Sequence, residues 1–443
     1  MMTNVSAPKG TDLLRDAMAE HSAGHLDNAD RLYGRLLDRE PDHPDALHLR
    51  GVLLAQRGQA AEARASIERA IAVRPDEAMF HNNLGNVCVE LQRLDDAEAA
   101  YRRAIELDPG RLDAVNNLGV LLSRRGRAEE AERILLALVE VAPQFVDARQ
   151  NLAGHYLRQG RYDEALQQGM KGLITAPRSP VLRRILGAGY SMAGMRDEAL
   201  ELYRRWLADE PANPLPLHHL RALTGEDVPD RASDGYVTQV FDGFAQSFDA
   251  KLAMLEYRAP ELTAGCVRRL AGAPAKALAV LDAGCGTGLC GPLLAPWAKR
   301  LEGVDLSSKM VAQARRRGVY DELHVAELVA HLAARAPGAL DLVVSADTLC
   351  YFGRLEAFAA AAARALATGG WLVFTVESHD DAPGQPEYRL HEHGRYSHRR
   401  SYLEACLRSA GLEPLEMQAA VLRMEAREPV QGWLVGARNA GHH

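Results

Sequence analysis

The sequence predicts two fold types in one chain: an all-α superhelix of repeats, followed by an α/β domain with a mostly parallel sheet. Three observations carry this. Prolines recur every 34 residues, at 41, 75, 109, 143, 177 and 211. A short apolar run, Ala277 to Leu281, leads into an acid and three glycines at alternate positions, Asp282-Ala283-Gly284-Cys285-Gly286-Thr287-Gly288. A second apolar segment, Leu301 to Val304, ends in Asp305, 17 residues beyond Gly288.

Each repeat carries more than its proline. Twelve residues before the prolines stand Ala29, Ala63, Ala97, Ala131, Ala165 and Ala199. Twenty-four before them stand Ala17, Gly51, Gly85, Gly119, Ala153 and Gly187. Small residues at two fixed places mark where paired helices cross closely, and the proline stops the second helix. This pattern resembles the tetratricopeptide repeat, with six repeats and a closing helix over residues 10–223. Eight before each proline comes Tyr33, Ile67, Tyr101, Leu135, Gly169 or Tyr203. Gly169 and Gly172 each cost about 1 kcal/mol of helix propensity, so looser packing or a bend is expected in the fifth repeat. Asn83, Asn117 and Asn151 also recur at the repeat period. Their side chains donate and accept. They resemble the asparagine ladder of the O-GlcNAc transferase repeat domain, which implies that they grip a peptide backbone; ties between neighbouring helices are the other reading.

Residues 215–223 read as a helix closing the last repeat, and 224–235, polar with glycine and proline, as a short linker between domains that pack together. The second domain is expected over 236–438. Strand, glycine turn and helix form the nucleotide-binding arrangement of open α/β sheets, with Leu289 to Ala298 as the helix. Here LDAGCGTG (281–288), GVDLSSKM (303–310), DLVVSADTLCYF (341–352) and GGWLVFTVE (369–377) resemble, in order, the class I S-adenosylmethionine-dependent methyltransferases.

That resemblance implies a Rossmann-like fold with a seven-stranded, mostly parallel sheet, and S-adenosyl-L-methionine as cofactor. It implies that Gly284, Gly286 and Gly288 offer backbone to the cofactor, Asp282 orients the methionine amine, Asp305 binds the ribose and Glu327 meets the adenine. Leu306, Met310, Ala326 and Ser345 complete the cofactor set. Phe241, Phe244 and Phe248 fall at helical spacing in FDGFAQSFD (241–249), which resembles the family's lid helix. Asp347, leaving the fourth strand, is expected at the same crevice. The family's terminal antiparallel hairpin is expected at 414–424 and 430–438.

Methyl transfer needs a base only where the acceptor loses a proton, so the cofactor motifs name no catalytic residue. SADT stands where amide and adenine methyltransferases carry their proline-rich motif, which disfavours those acceptors. The insert after the fifth strand is expected to lie over the crevice. It supplies acceptor-site candidates Tyr388, His391, His393, Arg395, Tyr396 and His398, beside His379, Asp380 and Arg389. Its YRLHEHGRYSH string (388–398) is similar to bacterial methyltransferases that carry tetratricopeptide repeats. Its histidine spacing is irregular, and no metal site is expected.

A net charge of −7 disfavours broad nucleic-acid binding. No apolar run reaches membrane length, and the N-terminus lacks a signal-peptide core. Six cysteines without paired spacing fit a reducing cytoplasm. The expected function is methyl transfer to a protein or peptide recruited by the repeats. A small-metabolite methyltransferase and a non-catalytic cofactor-binding adaptor stay open, as does the oligomeric state.

Overall fold

The computed structural model describes residues 10–243, 245–246, 248–382, 384–425 and 428–441. The chain divides into two compact units between Gly189 and Tyr190. The first holds five complete helix hairpins: Gly10–Ser22 with Leu26–Leu37, Pro44–Gln56 with Ala60–Val73, Ala78–Glu90 with Leu94–Leu107, Leu112–Arg124 with Ala128–Val141, and Val146–Arg158 with Tyr162–Thr175. The helix Pro180–Met192 crosses the division, and the last repeat's second helix, Arg196–Asp209, lies in the second unit with the closing helix Pro214–Thr224. The division therefore falls inside the sixth repeat, and residues 224–235 lie within the second unit.

Small residues meet large ones within the hairpins. A Cβ added at Gly51 would lie 2.5 Å from Ile67, and one at Gly119 would lie 2.7 Å from Leu135. A Cβ at Gly85 would strike the Tyr101 ring, which cannot swing away because its hydroxyl donates to Asn86 Oδ1 at 2.8 Å. Gly85→Ala gains about 1 kcal/mol of helix propensity, but overpacking costs about 1–3 kcal/mol. The expected net is a loss of about 0–2 kcal/mol, read from urea denaturation.

The fifth repeat corrects the expectation of looser packing. Tyr162–Thr175 is one continuous helix. A Cβ at Gly169 would lie 2.7 Å from Leu186, and one at Gly172 would lie 2.8 Å from Leu182. The missing side chains let the next helix approach closely, so the glycines are contact points.

The asparagine amides are spent between repeats. Asn83 Nδ2 donates to His48 Nε2 at 2.8 Å. Asn117 Nδ2 donates to Asn82 and Asn86, each at 3.1 Å, and Asn151 Nδ2 donates to Asn116 at 2.9 Å. Burial lowers His48 to about 4, so its ring is neutral and can accept.

In the second unit the strands are β1 Leu278–Ala283, β2 Ala298–Asp305, β3 Glu322–Val325, β4 Leu340–Ser345, β5 Leu366–Ser378, β6 Tyr388–Leu390, β7 Tyr396–His398, β8 Leu412–Glu425 and β9 Glu428–Asn439. The order β3-β2-β1-β4-β5 is parallel, β9 pairs antiparallel with β5, and β8 pairs with β9. This is the expected seven-stranded sheet. The 388–398 insert adds two short strands, with β7 pairing parallel to the end of β5. Apolar β1, β4 and β5 are buried between layers, as central parallel strands require.

Residues 224–235 are tied into this unit. The backbone N–H groups of Gly353 and Arg354 donate to Asp230 O at 2.8 Å, Ala232 N donates to Tyr351 O at 2.8 Å, and Tyr396 Oη donates to Pro229 O at 2.8 Å. The linker reading missed this because the partners lie more than a hundred residues away in sequence. Among the described residues, no helix is long and apolar enough to cross a membrane.

Candidate functional site

The carboxyl ends of parallel strands in open α/β sheets border the ligand crevice. A cavity of about 280 Å³ opens there, lined by the glycine turn, the ends of β2, β3 and β4, and the segment 231–260. Gly284 and Gly286 lie at φ +82° and +54°. At Gly284 a Cβ would also collide with Thr348, so bare backbone is required on two grounds. Asp305 Oδ2 accepts from Gly286 N at 2.9 Å, and Oδ1 accepts from Ser307 N at 2.8 Å. The acid that ends β2 thus fixes the turn of β1, and spare lone pairs remain for a ligand. Burial raises its pKa, against the pull of those N–H groups. Glu327 caps the helix Leu328–Ala333 through Ala330 N at 2.7 Å, while its Oε1 is buried without a partner among the described residues.

Of the expected cofactor residues, Gly284, Gly286, Asp305, Leu306, Ala326, Glu327 and Phe248 line the cavity. Asp282, Gly288, Met310 and Ser345 do not. Asp282 still belongs to β1, which is flanked on both sides, and its Oδ2 accepts from Tyr320 Oη at 2.6 Å beneath the turn. Its Oδ1 is buried without a partner among the described residues, so Tyr320 ties one oxygen and leaves the other over. Gly288 packs on Tyr320 and Arg317, Met310 is fully buried in Ser308–Arg316, and Ser345 Oγ donates to Ala283 O at 2.8 Å. Phe244 lies outside the described residues.

Burial raises Asp282 to about 7. The folded state then holds this proton where the unfolded chain has lost it, so the group's stabilising contribution falls as pH rises from about 4 to about 7. Asp282→Asn is expected to remove that part of the slope, read from urea denaturation of both proteins at pH 4.5, 6 and 7.5.

The expected helix after the turn is a single turn, Gly291–Leu294, so the cradle is the turn's own backbone. The expected lid helix is two helices, Asp234–Asp242 and Phe248–Met254. Ser307 Oγ donates to Asp242 Oδ1 and Thr287 Oγ1 to Asp249 Oδ1, each at 2.5 Å, which holds both helices to the glycine turn and the end of β2. Phe241 packs edge-on to Tyr351, with ring centres 5.3 Å apart.

Only Arg395 of the six insert candidates lines the cavity. Tyr388 Oη donates to Asp230, Tyr396 is fully buried, and buried His398 donates from Nε2 to Gly353 O at 2.9 Å. His391 bonds Ser397 Oγ at 2.6 Å and stacks on His393, which lies 3.7 Å from Glu377. The insert is thus a packed hairpin rather than a loop lying over the crevice.

Arg395 belongs to a buried ion network. Arg423 donates from Nη1 to Asp347 Oδ2 at 2.7 Å, from Nε to Glu425 Oε1 at 2.7 Å, and from Nη2 to Glu377. Arg395 donates from Nε to Glu377 at 2.5 Å and from Nη2 to Glu425 at 2.6 Å. Burial opposes ionisation of Glu425, yet Arg395 and Arg423 hold it down at about 2. Asp347, Arg395, Arg423 and Glu425 all line the cavity. Elsewhere, Glu302, His324 and His331 come within metal-ligand reach, but Arg335 already bonds both Glu302 and His331.

Residues 254–417 match the profile described as a methyltransferase domain, and 14–70, 50–111, 89–145 and 147–168 match tetratricopeptide repeats. The chain is a class I methyltransferase domain fused to N-terminal tetratricopeptide repeats. The methyltransferase part is 32% identical over 136 residues to human methyltransferase-like protein 27, covering 30% of this chain and 54% of the relative. It is 31% identical over 153 residues to the ubiquinone biosynthesis O-methyltransferase of Bordetella bronchiseptica, covering 31% and 64%. The chain thus spans less than two thirds of either relative. The repeats are similar to PilW, a type IV pilus biogenesis factor, at 21% identity and a TM-score of 0.43, covering 46% of this chain and 96% of that one.

Proposed function

We propose that this protein transfers a methyl group from S-adenosyl-L-methionine to a protein or peptide acceptor recruited by its repeats. One observation carries the reading. The last repeat and its closing helix hold the very turn that delivers Arg395 to the cavity. His218 Nε2 donates to Gly394 O at 2.8 Å, His219 Nδ1 donates to Glu392 O at 3.2 Å, and Arg196 pairs with Glu392 at 3.1 Å. The end of the recruiting array is thereby built into the acceptor side.

The cofactor wall fits a nucleoside. Asp305 and Leu306 would hold a ribose, the unpartnered Glu327 Oε1 would accept from an amine, and the glycine turn would face an amino-acid portion. The cofactor supplies an electrophilic methyl on a sulfonium. The chain's own residues position the acceptor, since in-line placement supplies much of the rate. The asparagine amides would have to leave their present partners to grip a peptide. Six free, buried cysteines support a reducing, cytoplasmic setting.

A small aromatic acceptor is favoured by the apolar wall of Val237, Val240, Phe241, Leu252 and Leu255, and by the relative named for ubiquinone biosynthesis. A lysate given methyl-labelled cofactor separates the two readings: labelled protein bands support recruitment, and label only in small molecules overturns it. Asp305→Ala frees two N–H groups and removes the carboxylate. Calorimetry with S-adenosylmethionine should show affinity down by roughly a hundredfold, and unchanged affinity would sink the cofactor assignment.

A further inference from the structure

Asp347 leaves the end of β4 at φ +54°, a conformation that side chains other than glycine rarely hold. Three contacts fix it. Its backbone N–H donates to the buried Thr375 Oγ1 at 2.9 Å, and its Oδ2 accepts from Arg423. Its neighbour Thr348 donates to Gly284 O at 3.2 Å, which sets Asp347 one residue from the cofactor turn. Yet Oδ1 is buried and has no partner among the described residues, although the side chain lines the cavity. A carboxylate oxygen left unpaired in a buried place is costly unless a ligand satisfies it.

The surroundings narrow the ligand. Asp347, Glu377 and Glu425 face two guanidiniums, Arg395 and Arg423, so the ionised network carries one excess negative charge. Both guanidiniums already hold carboxylates. Tyr257, Tyr351 and Phe241 add apolar surface to the same cavity.

We infer that Asp347 Oδ1 accepts a hydrogen bond from the methyl acceptor, and so selects an amine or hydroxyl carried on an apolar body over a carboxylate. The inference rests on the cofactor reading above. Strain at φ +54° is retained because it turns the carboxylate from the sheet toward the cavity while Arg423 locks one oxygen.

The test uses the full chain saturated with S-adenosylhomocysteine, titrated with 4-ethylphenol, 4-ethylaniline, 4-ethyltoluene and 4-ethylbenzoate. The phenol and aniline should bind roughly tenfold tighter than the toluene, the value of a hydrogen bond to a charged group, with the benzoate weakest. Asp347→Asn is nearly isosteric. Its amide oxygen must face the Arg423 donor, which turns the NH2 group toward the cavity. The preference for donors should then vanish and benzoate should gain, each titration made at saturating S-adenosylhomocysteine. Benzoate binding best to wild type, no probe binding, or an unchanged preference in Asp347→Asn would each overturn the inference. Failure of wild type to bind S-adenosylhomocysteine would overturn the cofactor reading and this inference with it.

Discussion

Arg423→Met should cost about 3–5 kcal/mol of unfolding free energy at pH 7, the usual penalty for removing one partner of a buried ion pair. The side chain is 3% exposed and bonds Asp347, Glu377 and Glu425. Methionine fills much of the volume but leaves three carboxylates sharing Arg395. Repulsion and burial then raise their pKa values above those of the unfolded chain. A group with a raised pKa stabilises below its unfolded pKa and loses that contribution as pH rises. The deficit of the variant should therefore be largest at pH 7 and shrink toward pH 4.5. Urea denaturation at both values checks this, and an equal loss at both would show that packing, not charge, accounts for the cost. The double variant Arg423→Met/Glu377→Gln should recover part of the loss at pH 7, because it withdraws one of the stranded charges.

That network was not legible as a unit. Glu377 and Arg423 stand out singly as charges in apolar strands, but Arg423 lies 76 residues from Asp347 and 46 from Glu377. Only the pairing of β9 between β5 and β8 brings them together. The joining of Gly286 to Asp305 was legible because its pieces are local: one turn, and the acid ending the next strand. The repeats were read from period alone, and the pairing of Gly51 with Ile67 and of Gly119 with Leu135 shows why: one position must be small because the other is large. Gly169 and Gly172 misled for the same reason. Propensity counts what a glycine costs its own helix and misses what it permits the next one.

A fragment beginning at Tyr236 should fail to fold, whereas one beginning at Tyr190 should fold and bind S-adenosylmethionine like the full chain. The sequence places the domain start at 236, but the contact division lies at 190. Removing 190–235 strips His218 from Tyr236, where the rings stack 3.9 Å apart, and strips Pro229 O from the fully buried Tyr396 hydroxyl. It also leaves without partners the N–H groups of Gly353 and Arg354 and the carbonyls of Tyr351, Glu392 and Gly394. Burial lowers His219 to about 4 and lowers His218 as well, so both rings are neutral, and each N–H donor meets its carbonyl without the cost of a buried charge. Each stranded polar group costs about 1–3 kcal/mol where it stays buried. Several together approach the about 5–15 kcal/mol that holds a typical domain. Circular dichroism melts and limited proteolysis of the two fragments decide the matter. If the 236–443 fragment melts within a few degrees of the 190–443 fragment, the last repeat is only an attachment. If it does not melt cooperatively, the repeat and its closing helix are structural parts of the catalytic unit. Any movement that acceptor capture imposes on them would then reach Arg395 through the 391–394 turn.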